Sequence, residues 1–273
     1  MAGHLKGRFD GVLLASDFDG TFVPSTKIVQ EDVKKALRYF IKEGGLFTVS
    51  TGRTYMGFHA YSPEYINAPV LLANGGMAFD YSRNEVILER GIGDEGLEPI
   101  SAIAVAFPSI AIEMYPMNQA YAIHFSGESE RHFTSQGVPF SVVNKPEEAP
   151  RPWIKAMLHG SYSDIDEVQM FLKERYPQVN FLPTKGRYLE ILGKGVDKGT
   201  SVTMLAEKLG VDMEHVYCAG DGYNDVEMLT AAHKAFVPEN GDEEALKCAD
   251  YVVRTCENGC IAHVVKILDE IYR

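Results

Sequence analysis

The fold is decided by the stretch Leu13-Leu14-Ala15-Ser16-Asp17-Phe18-Asp19-Gly20-Thr21. Its apolar half is typical of a buried strand, and side chains two apart on a strand point the same way, so Asp17 and Asp19 aim at a common volume. Two carboxylates that close raise each other's proton affinity unless a cation lies between them or one holds a proton. Gly20 lets the chain turn away there without a side-chain clash. The stretch therefore predicts a divalent-metal site with one carboxylate free for chemistry.

Composition restricts the classes of function. The chain has 273 residues, 45% of them hydrophobic and 23% charged, which is enough apolar material for a large core. Its formal net charge of −12 argues against nucleic-acid binding, because phosphate backbones need clustered Lys and Arg. This net charge is compatible with a small anionic substrate held in a local positive pocket. We expect a cytoplasmic protein that does not bind membranes, because no apolar run approaches the roughly 20 residues that a membrane helix needs.

Short apolar strands alternate with amphipathic helices in the first and last parts of the chain. This alternation predicts an α/β fold with a doubly wound, mostly parallel, Rossmann-like core sheet. Each strand ends in polar or glycine-rich residues, and ligands bind beyond the carboxyl ends of the strands in such sheets. The predicted strands cover residues 12–17, 46–50, 69–73, 216–220, 235–237 and 251–253.

The middle of the chain has a different pattern. A hairpin at residues 77–88 is followed by strands and helices of α+β type, among them a helix that we expect to open with a capping box at Ser163-Asp164-Ile165-Asp166. We therefore predict a core domain of residues 1–81 and 194–273 and an inserted α+β cap domain of residues 82–193.

Four motifs stand in order at the expected strand ends. The motifs are Asp17-Phe18-Asp19-Gly20-Thr21, Ser50-Thr51-Gly52-Arg53, Val196-Asp197-Lys198-Gly199 and Gly220-Asp221-Gly222-Tyr223-Asn224-Asp225. Together they resemble the haloacid dehalogenase superfamily of phosphatases, and the position and α+β character of the insertion resemble its Cof-type subfamily.

The residues and the resemblance together imply a mechanism. Asp17 is the expected nucleophile, which forms an aspartyl-phosphate, and Asp19 is the expected general acid and base. The predicted cofactor is Mg²⁺, which prefers hard oxygen ligands: Asp17 and Asp221 supply side-chain oxygens, and by resemblance Asp19 supplies its backbone carbonyl. Lys198 would neutralise the phosphoryl group and Thr51 would hydrogen-bond its oxygens.

A second group of residues is expected to support this machinery. Asn224 and Asp225 would orient the metal site and Lys198. The resemblance implies that Arg53 and Asn74 face the cleft toward the insertion, with a structural salt bridge as the alternative for Arg53. The predicted substrate- or phosphate-binding residues are Gly20, Gly52, Arg53, Asn74, Asn224 and, in the insertion, Arg187.

The resulting hypothesis is a Mg²⁺-dependent phosphatase of small phosphorylated metabolites, among them sugar phosphates, with the insertion acting as a lid. The same aspartyl-phosphate chemistry would also serve a sugar phosphomutase. A receiver-like signalling module, which accepts phosphate on an aspartate, is the alternative from another class. The insertion and the motif at residues 220–225 argue against it. We expect a monomer or a small homo-oligomer.

Overall fold

The computed structural model describes residues 7–59, 61, 64–184 and 187–273. Within these ranges the strands are β1 (Leu13–Ser16), β2 (Leu46–Val49), β3 (Val70–Leu72), β4 (Met77–Asp80), β5 (Glu85–Glu89), β6 (Ala111–Tyr115), β7 (Ala120–Ile123), β8 (Phe140–Val142), β9 (Lys155–His159), β10 (Asn180–Thr184), β11 (Tyr188–Leu192), β12 (Val216–Ala219), β13 (Lys234–Pro238) and β14 (Tyr251–Val253). The α-helices are α1 (Glu31–Lys42), α2 (Tyr55–His59), α3 (Leu97–Ala106), α4 (Gly127–Gln136), α5 (Tyr162–Arg175), α6 (Lys198–Leu209), α7 (Val226–Ala231), α8 (Glu243–Lys247) and α9 (Cys260–Ile271).

Five parallel strands form the core sheet, in the order β14-β13-β12-β1-β2. A parallel bridge between Ser50 and Leu71 places β3 beyond β2. From β1 the chain therefore winds outward in one direction through β2 and β3, and later in the other direction through β12, β13 and β14. The strand order reverses between β1 and β12, and this switch point is where open α/β sheets bind ligands.

Helices cover both faces of the core sheet. Side chains alternate along β1, so Leu14 packs into the cluster that contains α1 and α9, whereas Leu13 and Ala15 pack toward α6 and α7. Helix α1 buries Val33 and Leu37, one turn apart, on its inner side. The doubly wound α/β fold predicted from the sequence is confirmed.

A second sheet, the cap sheet, lies between β5 and α6 along the chain. Its order is β10-β11-β9-β6-β7-β8, and its pairs are antiparallel except for β7 and β8. Helices α3 and α5 pack on one face through Ile100, Ile103, Ile165 and Leu172. Phe133 of α4 packs with Ala122 and Met157, which belong to the opposite face.

The boundary expected at residue 81 falls within a strand hairpin and does not separate two independent elements. Strand β5 pairs with β4, which itself pairs with β3, so the hairpin crosses the boundary expected at residue 81. An antiparallel bridge between Ile92 and Trp153 then leads the chain into the cap sheet. The domain limits remain a prediction.

Two local features differ from the sequence analysis. The capping box of α5 is formed by Ser161 and Asp164, two residues before the expected start at Ser163, because the Ser161 hydroxyl accepts the N–H of Asp164. Helix α4 and strand β8 were not predicted. Helix α4 carries mostly polar residues and β8 has only three residues, so neither produces a strong hydrophobic period.

Candidate active site

The first and fourth motifs meet at the switch point of the core sheet. Asp17 follows β1, and its N–H donates to the carbonyl of Ala219 at the end of β12, 2.7 Å away. The Thr21 hydroxyl donates to Asp221 Oδ1 at 2.6 Å. Gly20 has a φ of +94°, and a Cβ there would lie 2.8 Å from Asp221 Oδ2. The turn after β1 therefore needs glycine both for its backbone conformation and for the close approach of Asp221.

A buried lysine links two of the carboxylates. Lys198 begins α6 directly after its N-cap Asp197, and its Nζ lies 2.6 Å from Asp17 Oδ1 and 2.6 Å from Asp225 Oδ1. Burial by itself lowers the pKa of Lys198, but the two carboxylates outweigh it and raise that pKa. The other oxygen of Asp225 accepts the N–H groups of Asp221 and Gly222 at 3.0 and 2.9 Å. Asp225 therefore positions both Lys198 and the loop that carries Asp221.

Three carboxylates converge beside this lysine. Oxygens of Asp17, Asp221 and Asp225 all lie within 4.8 Å of one another. Burial raises the pKa of Asp17 to about 8; Lys198 opposes this rise, and repulsion from Asp225 and Asp221 adds to it. Clustered hard oxygen donors with excess negative charge fit a divalent cation such as Mg²⁺. The cluster contains the carboxylate of Asp225 rather than that of Asp19.

The carboxylate of Asp19 is held by two cations. Arg53 forms a bidentate pair with it, Nε to Oδ2 at 2.6 Å and Nη2 to Oδ1 at 3.0 Å, and Lys27 Nζ lies 2.6 Å from Oδ1. Burial raises the pKa of Asp19, but the hydrogen bonds from Arg53 and Lys27 outweigh this and lower it. The arrangement favours the ionised form, which can accept a proton. Arg53 therefore forms the salt bridge that was the alternative expectation for it, and it also lines the cleft, as first expected.

Of the expected phosphate-binding residues, Gly52, Arg53 and Asn224 line one cavity of about 420 Å³ together with Thr51, whereas Gly20 and Asn74 are not among its described lining residues. Thr51 is buried at the end of β2 and its hydroxyl accepts the N–H of Arg53 at 3.1 Å. Asn224 Nδ2 donates to Asn74 Oδ1 at 3.3 Å, and a Cβ at Gly52 would lie 3.3 Å from the same oxygen. The described residues that line the cavity include Asp17, Asp19, Thr51, Gly52, Arg53, Asp221, Asn224 and Asp225 from the core and His132, Gln136, Lys155, Met157, Thr184, Tyr188 and Glu190 from the cap.

Comparison with known proteins agrees with this geometry. The family model of the haloacid dehalogenase-like hydrolases matches residues 14–265, which is most of the chain. The chain belongs to this family. This confirms the resemblance drawn from the four motifs, including its Cof-type form, and it favours an enzyme over a receiver-like module.

Relatives and solved structures of haloacid dehalogenase-like hydrolases match along nearly the full length. A Bacillus subtilis relative named 5-amino-6-(5-phospho-D-ribitylamino)uracil phosphatase YwtE is 22% identical, over 92% of this chain and 96% of its own. A haloacid dehalogenase-like hydrolase from Bacteroides thetaiotaomicron superposes with a TM-score of 0.83 at 22% identity, covering 95% of this chain and 99% of its own. The sugar phosphatase BT4131, of subclass IIB, gives a TM-score of 0.82 at 19% identity, covering 95% and 98%. At this identity the structural likeness shows the fold.

One residue that was expected to contact the substrate does not line the cavity. Arg187 Nε donates to the carbonyl of Gly160 at 2.8 Å and its Nη2 lies 3.0 Å from Glu128 Oε2, so it is paired at the rim of the cap sheet. It is not among the described residues that line the cavity. Its neighbours Lys185 and Gly186 lie outside the described residues.

Sequence reasoning missed the cap wall of this hydrolase's cavity. Lys155 Nζ donates to the carbonyl of Gly52 at 2.8 Å, and Glu190 Oε2 accepts from Asn74 Nδ2 at 3.0 Å. The cap therefore contacts the core loops directly. A detectable signal existed in β6, β9 and β11, where charged or polar residues alternate with apolar ones.

No helix among the described residues has both the length and the apolar character needed to cross a membrane.

Proposed function

We propose that this phosphatase hydrolyses small phosphorylated metabolites, sugar phosphates among them, through an aspartyl-phosphate on Asp17 with the help of Mg²⁺. The observation that carries the proposal is the joint placement of Asp17, Asp221, Asp225 and Lys198 at the switch point, beneath a cavity roofed by the cap sheet. The predicted division into a core (residues 1–81 and 194–273) and a cap (82–193) is part of the proposal, because the cavity has walls from both.

Asp17 and Asp221 would hold the metal with their side chains, and Asp19 with its backbone carbonyl, as the family pattern implies. Asp225 completes the carboxylate cluster and contacts the same loop. When bound, Mg²⁺ offsets the charge repulsion among the carboxylates and binds phosphate oxygens. The donor set fits this role, since oxygen ligands alone form the cluster.

The protein's own residues divide the chemistry. Lys198 orients Asp17 by its 2.6 Å contact and favours its ionised form against the opposing effect of burial, which prepares the carboxylate for attack on phosphorus. Lys198 and Thr51 would also stabilise the charge on the phosphoryl oxygens. Asp19, held as a carboxylate by Arg53 and Lys27, can deprotonate the water that hydrolyses the aspartyl-phosphate. To act first as the acid toward the leaving group, Asp19 must take a proton and loosen these contacts.

Two observations support a small hydroxylated substrate. The cavity volume of about 420 Å³ suits a small metabolite, and its cap wall is built largely from polar side chains. The named activities of the relatives concern a phosphorylated ribityl compound and sugar phosphates. The cytoplasmic location, the monomeric or small homo-oligomeric state and the absence of nucleic-acid binding remain predictions.

The test is release of inorganic phosphate from a panel of sugar and polyol phosphates, with Mg²⁺ and with excess chelator. We expect activity only with the metal, and a loss of at least about 10³-fold in Asp17→Asn because the nucleophile is gone. The control Asp166→Asn removes a carboxylate from the exposed side of α5 and should keep full activity. Activity that persists with chelator or in Asp17→Asn contradicts the mechanism, and isomerised sugar phosphate without free phosphate indicates a mutase.

A further inference from the structure

The cap sheet has two unlike faces. Side chains alternate along its strands, and the residues of one face join the apolar cluster under α3 and α5: Ile112, Met114, Ala156, Leu158, Leu189 and Ile191. Most of the residues between them carry ionisable groups, and four of these are at least 93% buried: Glu113, Lys155, His159 and Glu190. This second face is turned toward α4 and the cavity.

Stability alone does not account for such a face. The polar face of an antiparallel sheet ordinarily meets water. Burying charges is costly unless they are paired, and well-packed apolar residues of similar size are often as stabilising as a buried ion pair. Buried ionisable groups that border a cavity are instead a common feature of binding sites.

Lys155 and Glu190 are the members of this face that reach the core. Lys155 Nζ lies 2.8 Å from Glu190 Oε2 and donates to the carbonyl of Gly52, also at 2.8 Å. Glu190 Oε2 in turn accepts from Asn74. Gly52 directly follows Thr51, which is expected to bind phosphate. The pair therefore borders the cavity next to the phosphate position, where the leaving group of a substrate must lie.

The hydrogen-bonding capacity of the pair defines the chemistry that it can recognise. An ammonium has three N–H groups, and Gly52 and Glu190 account for two of them. Both hydrogen bonds to Glu190 end on Oε2, whereas a carboxylate can accept on both oxygens. Met157, the cross-strand partner of Glu190, adds an apolar surface to the same wall. A donor beside an acceptor, next to an apolar surface, matches the hydroxyl groups of a carbon chain.

We propose that Lys155 and Glu190 are specificity-determining residues that bind hydroxyl groups in the leaving group of a phosphorylated sugar or polyol. This assignment rests on the proposed phosphatase function and adds the groups that select the substrate. Lys155 donates to a hydroxyl oxygen, and Glu190 accepts the proton of a neighbouring hydroxyl.

The test compares substrates that differ in hydroxyl groups. Phosphate release is measured for glucose 6-phosphate, ribose 5-phosphate and phenyl phosphate, whose leaving group carries no further hydroxyl. In Lys155→Met we expect kcat/KM to fall about 10- to 100-fold for the sugar phosphates, the effect of one hydrogen bond to a charged group. For phenyl phosphate we expect less than about a threefold change. Glu190→Gln, which is nearly isosteric, should show the same selectivity and keeps the test open if Lys155→Met does not fold.

The matched control is Lys234→Met. Lys234 forms an ion pair with Asp250 at 2.9 Å but is only partly buried and does not line the cavity, so this variant should leave both substrate classes unchanged. An equal fall for sugar phosphates and phenyl phosphate in both cap variants would assign a structural role and overturn the proposal, as would unchanged sugar-phosphate activity. If the unmodified protein releases phosphate from none of the three compounds but does so from other phosphates that lack hydroxyls, the assignment of a hydroxylated substrate is refuted while the proposed phosphatase function stands. No release from any phosphate refutes the proposed function itself.

Discussion

The buried carboxylate of Glu113 should make the stability of the cap depend on pH in the acid range. Glu113 lies in β6 and is fully buried. His132 Nδ1 lies 2.8 Å from its Oε2, His159 Nε2 lies 3.1 Å from its Oε1, and the Tyr115 hydroxyl also donates to it. Burial alone raises the pKa of Glu113, but the hydrogen bonds from His132 and His159 outweigh it and lower the pKa from 4.5 to about 2.

The sign and size of the effect follow from this pKa. Because the folded pKa lies below the unfolded value, the ionised carboxylate stabilises the fold above about pH 4.5, and this stabilisation is lost as the pH falls toward 2. At about 1.4 kcal/mol per pH unit, the lowering corresponds to about 3 kcal/mol at pH 7. About 2 kcal/mol of it should already be lost at pH 3.

Glu113→Gln removes the titrating group and keeps the side-chain shape. The assay is urea unfolding at pH 7 and pH 3, followed by the fluorescence of Trp153, the single tryptophan, which is buried in the cap cluster. We expect the free energy of unfolding to fall by about 2 kcal/mol more in the unmodified protein than in Glu113→Gln over this range. Glu207→Gln, at an exposed position of α6, should behave as the unmodified protein does. Parallel pH dependences for the unmodified protein and Glu113→Gln would refute the reasoning.

Two further predictions use paired variants. Gly20→Ala and Gly11→Ala both place a side chain at a positive φ, +94° and +82°, so each should lower the free energy of unfolding by about 1–2 kcal/mol. Only at Gly20 does the new Cβ approach Asp221, so phosphate release should fall at least about tenfold in Gly20→Ala and stay near normal in Gly11→Ala. Similar activities of the two variants, compared at equal folded fractions as judged by urea unfolding, would argue against this close approach. Ser161→Ala should cost about 1 kcal/mol of unfolding free energy and Ser163→Ala less than about 0.5 kcal/mol, because only the Ser161 hydroxyl caps α5; the reverse order in thermal or urea unfolding would restore the original placement of the cap.

Much of the catalytic edge could be predicted from the sequence because its determinants are local. An apolar run followed by polar residues marks the end of a buried strand, and parallel strands bring such ends to one edge of a sheet. That rule places Asp17, Thr51 and Asp221 around one cavity although up to 204 positions separate them (221 − 17), and Lys198, at the start of α6, contacts Asp17 there. Their order along the chain also identified the family before any contact was known.

The pairing of side chains within that edge could not be predicted in the same way. The strand period turns Asp17 and Asp19 to the same side, yet Asp19 is bound by Arg53 and Lys27 and Asp225 joins the cluster of carboxylates. Each side chain has several partners within reach, and the packing of the loops selects among them. Arg187 shows the same limitation, since its proximity to the core in sequence did not bring it into the cavity.

The sequence by itself determined the α/β core, the inserted α+β region, the family and the residues expected to carry the chemistry, because strand period and strand-end composition are properties of neighbouring residues. Only the tertiary structure decided what the polar face of the cap sheet meets. The alternation in β9 and β11 shows that Lys155 and Glu190 share a face, but their contacts with Gly52 and Asn74 join positions 103 and 116 residues apart. Such contacts depend on how the two sheets pack against each other, which no local pattern encodes.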